Sequence, residues 1–195
     1  MPRPLCPGCQ LPLARCYCDL AIPVASAVEV IVWQHPSEAN HPKGTAALLN
    51  RCLGNCQMLV AEQLSEAQFE RFSGPGERQT WLLFPGSDAA PTGAVPMASS
   101  VRLLVLDGTW RKARKLMHLN PWLQQLPRLA LAPIGASEYT IRKSEQPHQL
   151  STLEATCQAI NLLERDSTLT APLLNAFQHY MRRLSQRRPS TTSSP

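Results

Sequence analysis

Leu103-Leu104-Val105-Leu106-Asp107-Gly108-Thr109-Trp110 is the stretch on which the fold of this chain turns. The aliphatic run reads as a buried strand that ends in a lone carboxylate, Asp107. Beyond the glycine, Arg111, Lys112, Arg114 and Lys115 open a predicted helix. The helix dipole favours acids at that end, so four cations in its first turns oppose it and point to an anionic partner.

Working outward, apolar runs alternate with helical periodicity. Ala27 to Trp33 is a predicted strand, Thr45 to Leu53 a helix, Gln57 to Ala61 a strand and Ser65 to Phe72 a short helix. Thr80 to Phe84 is a strand that stops at Pro85-Gly86, and Val101 to Leu106 and Arg128 to Ala132 are strands on either side of the basic helix. Two helices close the chain, with Leu153, Cys157, Ile160 and Leu163 on one face of the first and Leu173, Phe177, Met181 and Leu184 on one face of the second. Strands separated by helices imply an α/β fold with a mostly parallel sheet. In such sheets ligands sit beyond the carboxyl ends of the strands. Four polar or turn-rich segments fall there: His35 to Gly44, Pro85 to Asp88, Asp107 to Trp110 and Pro133 to Ser151. The sequence has no G-x-G-x-x-G, Walker A or G-x-S-x-G stretch, which weakens dinucleotide, P-loop and hydrolase readings.

With 195 residues and 44% hydrophobic content, one main soluble domain is expected. The net charge is +5. Arg102, Arg111, Lys112, Arg114, Lys115, Arg128, Arg142 and Lys143 face only Asp107 and Glu138 within residues 102–143, so the positive excess is concentrated there and the remainder is close to neutral. Neither a secretory signal nor an 18-residue apolar run is evident, and the expected location is cytoplasmic.

The seven cysteines fall into two kinds. Cys6, Cys9, Cys16 and Cys18 read C-x2-C-x6-C-x-C, and in a reducing compartment this pattern suits a tetrahedral thiolate site for zinc. Pro7, Gly8 and Pro12 supply the bends. Four thiolates leave no open position for water, so the role is structural; a redox pair or unligated thiols are the alternatives. Cys52, Cys56 and Cys157, expected within helices, read as small buried hydrophobes. The segment 1–24 is therefore a predicted zinc-binding unit, 25–188 the main domain and 189–195 a disordered tail.

Several blocks now combine. Asp107-Gly108-Thr109-Trp110 matches D-x-T-W, and it stands in order with the N-terminal cysteines, His35-Pro36-x-Glu38, Phe84-Pro85-Gly86, Trp110-Arg111-Lys112-Ala113-Arg114-Lys115, Tyr139-x-x-Arg142 and Ser151-Thr152-x-Glu154-Ala155. This set resembles the DTW-domain family over about residues 5–185. The resemblance implies a SPOUT-like fold with a knotted C-terminal half, which general topology rules do not suggest. It also implies transfer of the 3-amino-3-carboxypropyl group of S-adenosylmethionine to a tRNA uridine, at position 47 of the variable loop in bacterial members. The expected partner is tRNA, with no membrane and no obligate protein partner.

That chemistry gives the residues roles. Uridine N3 is a poor nucleophile until its proton departs, and a carboxylate within reach is the natural general base. Asp107 is the candidate, next to a glycine that permits close approach; capping the following helix or binding the Thr109 hydroxyl is the alternative. Thr109 reads first as an N-cap. Trp110 suits stacking on uridine or adenine, or core packing beside Ala113 and Met117. Asp107, Thr109 and Trp110 form the candidate catalytic set. Phe84, Pro85, Gly86 and Ser87, with Asp107, Tyr139 and Arg142, are the candidates for holding S-adenosylmethionine, Arg142 through its carboxylate. His35, Glu38, Lys43, Arg111, Arg114, Lys115, Arg182 and Arg183 are candidate RNA contacts, with solvated helix faces as the alternative for the cations. His41 reads as a loop residue, and Ser151 with Glu154 as a capping box. A SPOUT-like methyltransferase and a non-catalytic zinc-containing RNA-binding module remain alternative readings.

Overall fold

The expected apolar runs become a sheet in which every pairing is parallel. The computed structural model describes residues 4–9, 11–39, 45–74, 76–85, 96–131 and 150–185. Its strands are β1 (Glu29–Gln34), β2 (Cys56–Val60), β3 (Gln79–Leu83), β4 (Val101–Asp107) and β5 (Arg128–Leu129), in the order β2-β1-β4-β3-β5. The helices are α1 (Ala46–Cys52), α2 (Glu66–Ser73), α3 (Trp110–Leu119), α4 (Thr152–Glu164) and α5 (Ala171–Ser185).

Strand alternation divides the core in two. Val30 and Val32 of β1 and Leu103 and Val105 of β4 point to one face, under α1, α4 and α5. Ile31, Trp33, Leu104 and Leu106 point to the other, under Phe69 of α2, Ala113, Leu116 and Met117 of α3, and Leu123 of a 3-10 helix, Pro121–Gln125. All seven residues of β4 are buried, as both faces of a central parallel strand require. Ser65 with Gln68 and Ser151 with Glu154 form complete capping boxes at α2 and α4, the second as its S-x-x-E spacing predicts.

Three expectations are corrected. The strand placed at Arg128 to Ala132 ends at Leu129; among the described residues it pairs with β3 alone, over two residues. Cys56 opens β2 instead of lying in a helix, because α1 stops at Cys52. Trp110 does not join the core face of α3: it is 42% exposed, whereas Ala113 and Met117 are buried. It is the first residue of α3, three positions past the end of β4.

The cysteine-bearing segment docks on this core. Tyr17 and Val24 belong to the same buried cluster as the sheet, and the Tyr17 ring meets Tyr180 of α5 edge-on at 5.5 Å. Arg183 of α5 donates to both carboxylate oxygens of Asp19, at 2.9 and 2.7 Å, and to the Cys16 carbonyl at 2.6 Å. Among the described residues no helix is long and apolar enough to cross a membrane.

Candidate active site

Strand order locates the candidate site. From the carboxyl end of β1 the chain turns to β2 on one side, and from the end of β4 it passes to β5 beyond β3 on the other. The gap between β1 and β4 is therefore a topological switch point, the position where parallel sheets leave room for a ligand. Gln34 ends β1 and Asp107 ends β4, and they are paired in register. Both are buried, at 6% and 8% exposure. Gln34 Nε2 donates to Asp107 Oδ2 at 2.7 Å, and the His35 backbone N–H donates to the Asp107 carbonyl at 3.1 Å.

Asp107 does not cap α3. Thr109 does, its Oγ1 accepting from the Lys112 N–H at 3.4 Å. A side chain on Gly108 would meet Lys112 Cβ at 3.1 Å. The missing Cβ lets the Lys112 side chain cross over Gly108 and reach Glu38 Oε1, with Nζ at 2.6 Å. Trp110 stands beside the strand ends with its ring edge-on to Phe84, centroids 5.7 Å apart. An aromatic pair thus stands at the same end of the sheet as Asp107.

The cations of α3 divide into two groups. Lys112 pairs with Glu38 and Lys115 with Glu62. Arg111 and Arg114 are exposed and have no acidic partner among the described residues. With Lys115 and His118 they occupy the side opposite Ala113, Leu116 and Met117, as helical spacing dictates. His35 is turned inward, 9% exposed. The Ser37 backbone N–H donates to its Nδ1 at 3.2 Å, which leaves the proton on Nε2, 3.1 Å from Glu62 Oε1. Lys115 and then His35 hold the Glu62 carboxyl below the usual range.

Reading the sequence missed Gln34 and Glu62. Gln34 is the polar residue that closes an apolar strand, as Asp107 closes another, and that parallel was the available signal. Glu62 follows the end of β2, another strand terminus. Of the expected cofactor residues, Phe84 and Pro85 lie at the end of β3, on the same edge as Asp107. Gly86, Ser87, Tyr139 and Arg142 lie outside the described residues, as do Lys43 and His41. Arg182 is exposed on α5, whereas its neighbour Arg183 is engaged by Asp19.

At the N-terminus, the four sulfurs of Cys6, Cys9, Cys16 and Cys18 all lie within 4.8 Å of one another. The Cys6–Cys16 and Cys6–Cys18 separations are 3.3 and 3.8 Å. A tetrahedron with metal–sulfur bonds of about 2.3 Å has edges of about 3.8 Å, so the set fits a single ion. Gly8 makes the wrap possible, since a Cβ there would stand 3.1 Å from Cys18 Sγ. The Cys9 backbone N–H, the Cys16 sulfur and the Gly8 N–H draw the Cys6 thiol down to about 6, while burial and the neighbouring sulfurs push Cys18 up to about 12. Four crowded thiols resist ionising together, and a dication removes that conflict. Elsewhere, burial pushes Cys56 and Cys157 up to about 12, as inert packing thiols require.

Together these features define an α/β protein with a strand-end carboxylate site and an N-terminal four-cysteine cluster suited to a metal. A profile of the DTW domain matches residues 3–185, and the chain belongs to that family. The chain is similar to tRNA-uridine aminocarboxypropyltransferase 2 of Macaca fascicularis, 29% identical over 90% of this chain and 62% of that protein. The protein of the same name from Drosophila melanogaster is 30% identical over 88% of this chain and 71% of its own length. tRNA-uridine aminocarboxypropyltransferase A of Arabidopsis thaliana is 25% identical over 84% of this chain and 74% of its own. The chain thus spans less than two thirds of the macaque protein's length. No solved structure matches it.

Proposed function

We propose that this protein is a tRNA-uridine aminocarboxypropyltransferase. It moves the 3-amino-3-carboxypropyl group of S-adenosylmethionine to N3 of a uridine, at position 47 of the variable loop, and releases methylthioadenosine. The observation that carries the reading is the buried Asp107 carboxylate at the switch point, with the Trp110–Phe84 pair at the same end of the sheet and exposed arginines on the α3 helix that follows it. The names of the similar proteins support the same activity.

In this reading Asp107 accepts the N3 proton as N3 attacks the methylene carbon next to the sulfonium. The carbon–sulfur bond breaks with its electrons passing to sulfur, which leaves a neutral thioether. In-line placement of nucleophile and carbon supplies up to roughly 7–11 kcal/mol. Trp110 offers a face to a base, and Phe84 and Pro85 with Gly86, Ser87, Tyr139 and Arg142 hold the co-substrate. Arg111, Arg114 and Arg182 bind phosphates, while Lys115 is held by Glu62. Glu38 and His35 hold the surrounding loops through Lys112 and Glu62. The four cysteines hold a structural zinc. The reading retains the SPOUT-like, knotted C-terminal half, the division at residues 24 and 25, and a cytoplasmic location, all of which rest on the sequence and the family resemblance.

Incubation with unmodified tRNA and S-adenosylmethionine tests the proposal by mass analysis of both products. Aminocarboxypropyluridine and methylthioadenosine are expected. S-adenosylhomocysteine with a methylated base would instead establish a methyltransferase, and tRNA binding without either product a binding module.

A further inference from the structure

We infer that Gln34 is a positioning residue for the transfer reaction, holding the Asp107 carboxylate so that one oxygen alone is left to take the substrate proton. The inference rests on the proposed transferase reading. Its basis is the contact between the two strand ends: Gln34 Nε2 donates to Asp107 Oδ2 at 2.7 Å, and the residues are paired in register, with side chains on the same face of the sheet. Both residues are more than nine-tenths buried, so water is a poor substitute for the missing partner if either is changed.

The amide can stand only one way round. An ionised carboxylate has no hydrogen to give, so the group facing Oδ2 is the NH2 and not the carbonyl. No other bond to the Asp107 carboxylate occurs among the described residues. Occupying Oδ2 restrains the carboxylate and leaves Oδ1 as the oxygen without a bond among the described residues. A base restrained in this way meets the N3 proton in one orientation, and the benefit falls on the chemical step more than on binding. The backbone anchors both partners, since the His35 N–H binds the Asp107 carbonyl and the Ala61 N–H approaches the Gln34 carbonyl at 3.4 Å. Gln34 itself touches no substrate in this account and acts through Asp107.

A double-mutant cycle on the full chain tests it, with Gln34→Leu, Asp107→Asn and the pair, each followed by kcat, KM for S-adenosylmethionine and thermal midpoint. Gln34→Leu alone is expected to lower kcat about ten- to a hundred-fold, the worth of one hydrogen bond to a charged group, with KM within about two-fold. In the Asp107→Asn background the same change is expected to cost less than about two-fold, because nothing is left to position. Should Gln34→Leu not fold, Gln34→Asn, an amide one methylene too short to reach Oδ2, takes its place with the same expected pattern. A kcat unchanged by the Gln34 substitution, or a loss equal in both backgrounds, overturns the inference while leaving the transferase intact. No turnover by the unsubstituted protein overturns the transferase reading and this inference with it.

Discussion

At the scale of single residues, a carboxylate taken out of water persists only where donors replace the lost hydration, and at Asp107 Gln34 supplies that donor. Asp107→Asn preserves the shape and the contact to Gln34 while removing the proposed base. Turnover is expected to fall by about 10²- to 10⁴-fold, with tRNA affinity within about two-fold, checked by product assay and filter binding on the same preparation. Thr109→Ala removes the N-cap of α3 and is expected to cost about 1 kcal/mol in chemical denaturation, whereas Thr109→Ser restores most of it. Legibility in the sequence was uneven at this scale. Asp107 and Thr109 stood out because each breaks a local pattern, a charge ending an aliphatic run and a cap preceding a helix. Gln34 did not, because its significance lies wholly in a partner on another strand. Trp110 was ambiguous, since helical spacing places it beside Ala113 and Met117 and says nothing of where the sheet beneath them ends.

Among elements, α3 does two jobs with one set of cations. Lys112 and Lys115 lock the loops after β1 and β2 through Glu38 and Glu62, while Arg111 and Arg114 face outward. Replacing both arginines with alanine is expected to weaken tRNA binding and to lower the slope of log affinity against log salt by about 1.5, read from titrations at several ionic strengths. Lys112→Ala is expected to act in the other direction of emphasis: a small change in salt slope, but a loss of about 1–2 kcal/mol of stability, because Glu38 is only 16% exposed. The positions of the strands were readable from apolar runs, to within a few residues at each end. Their order was not. Nothing in β3, Gln79–Leu83, announces that it inserts between β4 and β5, since neighbour choice depends on which helices fit over which face.

For the whole molecule, the four-cysteine segment belongs to the main core instead of hanging from it, through Tyr17, Val24 and the Arg183 clamp. Metal removal by a strong chelator is therefore expected to lower the thermal midpoint of the entire chain in one transition. A two-step melt with an unaltered main transition would show instead that the segment unfolds alone. The clamp carries its own acid dependence. Arg183 holds the Asp19 carboxyl below its ordinary 3.8. A group depressed in the folded state stabilises it above the unfolded value, and the gain disappears as pH falls through the lower folded one. Asp19→Asn should therefore reduce stability at neutral pH and matter progressively less as pH falls below the ordinary carboxylate value, by parallel melts; its exposure keeps the effect modest. The strand order also bears on how the protein is made. Gln34 and Asp107 are 73 residues apart, the widest separation between neighbouring strands of the sheet. A chain emerging from the ribosome can pair β1 with β2 early, yet its centre stays open until β4 has been synthesised. The Gln34–Asp107 contact thus has no precursor until β4 is made, so a nascent chain too short to expose β4 should be inert toward RNA chemistry.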